Sequence, residues 1–61
     1  MREITVIGTG LQRYVIEVHY LGDDVVIVVK NPEKSKTVVK FFLRKEEREA
    51  FIEALRGDSN V

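Results

Sequence analysis

Thr37-Val-Val-Lys-Phe-Phe-Leu-Arg-Lys-Glu-Glu-Arg-Glu-Ala-Phe-Ile-Glu-Ala-Leu-Arg-Gly57 changes its apolar period from two to about 3.6 near Arg44, with neither Gly nor Pro between the two patterns. Side chains alternate across a strand and recur every third or fourth residue along a helix, so the stretch predicts a strand that passes directly into an amphipathic helix. At 100° per residue, Ala50, Phe51, Ile52, Ala54 and Leu55 gather on one face, and Lys45, Glu46, Glu49, Glu53 and Arg56 fill the other. Gly57 supplies the C-terminal stop, and Glu46 and Glu47 suit the positive end of the helix dipole. Arg44 is a poor N-cap, so continuity with the strand is expected to set the helix start.

Everything before this stretch has strand character. Pro32, flanked by Asn31, Ser35 and lysines, marks a loop. Ahead of it, Val25-Val26-Ile27-Val28-Val29 is apolar on both sides, which suits an interior strand. Gly22-Asp23 predicts a two-residue hairpin with Gly at the first central position. That turn pairs Tyr20 with Val25, Val18 with Ile27 and Ile16 with Val29, and the following hairpin then pairs Val29 with Val39, Ile27 with Phe41 and Val25 with Leu43. Ile4 and Val6 form a first strand, and a three-residue loop at Gly8-Thr9-Gly10, with Gly10 at positive φ, would put them on the same face as Tyr14 and Ile16.

The expected fold is α+β: a four-stranded antiparallel meander followed by one C-terminal helix on one face, a single domain over residues 1–57 with a flexible tail at 58–61. Val39, Phe41, Leu43, Phe51 and Leu55 are expected to close the core.

At 61 residues a chain buries only about 60 % of the surface its unfolded form exposes. Cysteine is absent, which leaves association as the available supplement to a small core. Ten basic and ten acidic groups cancel, yet they are segregated: residues 30–45 carry six basic and one acidic group between two acidic flanks. No run of about 18 apolar residues is present and the N-terminus opens on a strand pattern, so the chain is expected to be cytoplasmic, without membrane contact. One third of its residues are charged, a balance common among hyperthermophile proteins.

A helix about 10 to 12 Å wide cannot cover both faces of four strands spanning roughly 19 Å. The face turned from it is expected to carry Val15, Glu17, His19, Val26, Val28, Val38, Lys40 and Phe42, an apolar patch among a few charges. Such a patch points to a non-enzymatic assembly module, homodimeric through this open face or bound to another protein.

Other chemistry has little material. Gly8-Thr9-Gly10 opens like a dinucleotide fingerprint, but Arg13 occupies the third glycine position and a strand follows. His19 and Glu17 share a face and offer an acid/base pair or half of a metal site, with no further ligand in view. Neither serine lies near the histidine in a context that would activate it. No catalytic residue, metal or cofactor is therefore expected.

The alternative is single-stranded nucleic acid held by Lys30, Lys34, Lys36, Lys40, Arg44 and Lys45, with Phe42 and Tyr14 as stacking platforms. Leu43-Arg44-Lys45-Glu46 is similar to the strand-to-helix junction of the single-stranded-DNA-binding transcriptional coactivator family, where Leu-x-Pro-Glu is frequent and Lys45 here takes the proline position. The resemblance implies four antiparallel strands, a C-terminal helix and dimerisation. It assigns no binding residue.

Overall fold

The computed structural model describes residues 1–57, and the tail expected at 58–61 lies outside them. Four strands, β1 (Arg2–Ile7), β2 (Arg13–Leu21), β3 (Asp24–Asn31) and β4 (Lys36–Leu43), form one antiparallel sheet in sequence order, and α1 (Lys45–Arg56) follows. Gly22, at φ 63°, takes the left-handed conformation the two-residue turn requires, and Leu21 faces Asp24 across it. The pairs on either side of β3 are those the turn dictates: Tyr20 with Val25, Val18 with Ile27, Ile16 with Val29, then Val25 with Leu43 and Ile27 with Phe41.

Two connections differ from expectation. The first loop holds five residues, because Ile7 pairs with Arg13. It is closed by the Gly8 N–H donating to the Gln12 carbonyl at 2.7 Å and the Leu11 N–H donating to the Gly8 carbonyl at 2.9 Å. Leu11, not Gly10, carries the positive φ, at 69°. Lengthening by two residues shifts the register but preserves parity, so Ile4 and Val6 stay on the face of Ile16 and Tyr14, which they oppose. The second difference is a bulge: Val29 pairs with Val39 but Lys30 pairs with Thr37, which leaves Val38 unpaired in β4.

The helix start is set by half of a capping box. Arg44 is extended at φ −77°, ψ 171°, and its N–H donates to Glu47 Oε1 at 2.9 Å. An arginine side chain has no acceptor to return the bond to the first-turn N–H groups. At the other end Gly57 takes φ 62° and its N–H donates to the Ala54 carbonyl at 3.2 Å. Arg48 Nη1, donating to the Asp23 carbonyl at 3.3 Å, ties the first turns of α1 to the β2–β3 turn.

The core is smaller than the sequence suggests. Among the described residues only Val25, Ile27 and Val28 are buried apolar side chains, all on β3. Leu43 is half-buried, but Val39, Phe41, Phe51 and Leu55, expected to close the core, are exposed. The backbone of α1 lies against β3 and β4, and its side chains share a groove with Val18 and Tyr20 at one end of β2, so β1 and the rest of β2 have no helix over them. The molecule is a slab of 36 × 31 × 15 Å, and its radius of gyration of 13.0 Å exceeds the about 10.5 Å of a globular chain this long.

Candidate functional site

The open face follows from the register. Its cross-strand rows run His19–Val26–Phe42, then Glu3–Glu17–Val28–Lys40, then Thr5–Val15–Lys30–Thr37. All eight residues expected there belong to β2, β3 or β4, and all but Val38 occupy adjacent rows, though their exposure differs. Val26 is half-buried and Phe42 is 48 % exposed, with exposed Leu21 one row beyond. Val28 is 7 % exposed, lying between Glu17 and Lys40 on the neighbouring strands. Val38, the bulge residue, lines a hollow with Asn31, Lys34 and Lys36 at the β3–β4 turn, away from Phe42.

Polar chemistry concentrates on Glu17. Lys30 Nζ lies 2.9 Å from Glu17 Oε2, and His19 Nε2 lies 3.0 Å from Glu17 Oε1. An ionised carboxylate only accepts, so the His19 proton sits on Nε2 and donates. The Glu17 side chain is 13 % exposed. The hydrogen bond from Lys30 first, and that from His19 second, hold its carboxyl below the ordinary value of 4.5. The ion pair also offsets the like charge of Glu3, which faces Glu17 directly in β1. Beside the pair lies a hollow of about 370 Å³ bordered by Val15, Lys30, Asn31, Pro32 and Thr37.

This arrangement is an ion cluster on a sheet. Among the described residues no three His, Cys, Asp or Glu side chains come together as a metal site would need. Lys30 was not among the open-face residues read from sequence, although the Gly22-Asp23 register places it one row from Glu17; the signal was present in the parity of β3.

The six cations of the basic segment do not converge. Lys30 is held by Glu17, and Lys40 shares its face. Lys36 pairs with Asn31 and so belongs to the opposite face, Lys34 sits in the turn, and Arg44 and Lys45 stand at the far end of β4. Phe42 is exposed on the Lys40 side, while Tyr14 belongs to the other face.

The helix-bearing face holds more exposed apolar surface than the open one. Ile4 at 56 %, Tyr20, Val39 and Phe41 are exposed on its strands, and Phe51, Ile52 and Leu55 on α1. A groove of about 240 Å³ runs between α1 and the sheet, over Val18, Val25 and Ile27. No helix among the described residues is long and apolar enough to cross a membrane. Comparison with protein-family models, with curated proteins and with solved structures finds no match for this chain.

Proposed function

We propose that this chain is a non-catalytic assembly module that completes its hydrophobic core by association with another copy of itself. One observation carries the reading: three buried apolar residues against thirteen large ones exposed, in a slab with no second layer over most of its area. A folded monomer of 7.0 kDa presents about 4000 Å² to solvent, whereas this chain presents 5140 Å². The excess is of the order of the ~800 Å² that each partner loses in a standard interface. Open-face association would bury Val26 and Phe42 with Glu17, His19 and Lys40 fixing the register; the helix-bearing face offers the larger apolar area.

Solution mass tests the proposal. Sedimentation equilibrium is expected to give twice the 7.0 kDa chain mass, with a thermal midpoint that rises with protein concentration. A single 7.0 kDa species at millimolar concentration, with a midpoint independent of concentration, would remove it. The same experiment with a low-salt oligonucleotide addresses the nucleic-acid reading, which gains support only if salt-sensitive binding is lost when Lys34 and Lys36 are changed to Ala.

A further inference from the structure

Resting on self-association, we propose that the contact lies on the helix-bearing face and is reciprocal, with α1 of each copy lying along the uncovered strip over β1 and β2 of the other. The register puts Ile4, Ile16, Val29 and Val39 in one row across all four strands of this face, and Val6 and Tyr14 in the next. The helix does not cover the β1–β2 half of these rows, where Ile4 is exposed and Val6, Tyr14 and Ile16 are half-buried. Two strands at about 4.8 Å spacing, with the side chains they carry, make a strip roughly 10 Å wide, the width of a helix.

The helix has the complementary deficiency. None of its residues is buried, Leu55 is 71 % exposed, and Phe51 and Ile52 are exposed beside it. Each copy thus holds an apolar strip over β1 and an apolar helix edge that its own sheet covers only in part. A reciprocal pair covers both at once.

The area agrees. At roughly 200 Å² for a large side chain, the exposed fractions of Ile4 and Tyr20 on β1 and β2 and of the three helix residues amount to about 500 Å² per copy, the greater part of the ~800 Å² per partner of a standard interface before the half-buried Val6, Tyr14 and Ile16 are counted. The open face has less to offer. Ile7, Leu21, Val26 and Phe42 lie there with Glu17, Lys30 and Lys40, whose charges any covering surface would have to desolvate.

The chain has no cysteine, so an introduced thiol is unique. Ile4→Cys and Leu55→Cys are made in separate chains, mixed, and treated with a short bis-maleimide; the expected product is a covalent dimer joined from position 4 of one chain to position 55 of the other. In parallel, Leu55→Asp is expected to weaken the dimer at least tenfold in sedimentation equilibrium with an unchanged circular dichroism spectrum, since this side chain is already exposed in a single copy. Phe42→Asp is expected to leave the dimer intact. A dimer dissociated by Phe42→Asp and not by Leu55→Asp, or a dimeric mixture that gives no 4-to-55 product, overturns the helix-side contact and leaves self-association standing. A chain that is monomeric throughout overturns both.

Discussion

A carboxylate with a lysine nitrogen 2.9 Å from one oxygen and a histidine nitrogen 3.0 Å from the other gains from these contacts only while it is ionised. The folded pKa of Glu17 lies below 4.5, so its contribution is fully present above that ordinary value and is lost as pH falls through the lower folded one. Thermal midpoints measured from about pH 7 to pH 2 should therefore show an acid-side decline that Glu17→Gln makes shallower, Gln being unable to titrate. An identical decline in both proteins would exclude Glu17 as its source. Leu11 poses the opposite problem, a Cβ-bearing residue at φ 69° in an exposed loop. Left-handed backbone costs a side-chain-bearing residue about 1–2 kcal/mol and glycine gives back about half through chain entropy, so Leu11→Gly should stabilise by about 0.5–1 kcal/mol. The check is a denaturation midpoint raised at constant m-value.

At the scale of elements, the junction from β4 to α1 lacks half its cap. Glu47 satisfies the Arg44 N–H, but Arg44 cannot accept from the first-turn amides. Arg44→Ser would complete the box and should add about 0.5–1 kcal/mol; a midpoint that stays put or falls would show that the arginine stem contributes more by packing than a hydroxyl does by capping. The junction also separates what was legible in the sequence from what was not. Strand order and pairing were legible, because Gly22-Asp23 fixes one register and the period-two pattern transmits it across β2, β3 and β4. The bulge was not: Val29 was paired with Val39 from the sequence, as observed, but nothing in the chemistry of Val38 says that Lys30 passes it over to pair with Thr37. The length of the first loop was hidden for a similar reason: glycines at 8 and 10 suggested a tight turn, and parity holds equally for three residues or five. Helical periodicity, finally, tells which side of α1 is apolar but not which strands receive it. Hence Phe41 and Leu55 were assigned to a core that the helix, placed over β3 and β4, does not close.

At the scale of the whole molecule, the 15 Å thickness matters more than any single contact. A flat body that pairs with its own copy through a broad face does so about a twofold axis lying in the plane of that face. If both broad faces paired in this way, the two axes would lie in parallel planes on opposite sides of the slab and could never meet. Applying one after the other shifts a copy along the slab normal by twice the 15 Å thickness, and repetition has no end. Two like-with-like faces therefore generate an open stack, and a closed particle requires that one of them be barred from its own kind. With the helix-side pairing proposed above, the charges of Glu17, Lys30 and Lys40 on the open face would supply that bar, since a second sheet stacked there would bury ions away from water. On this view their contribution is to end growth at two chains, so that a protein too thin to complete a core alone does not become a fibre.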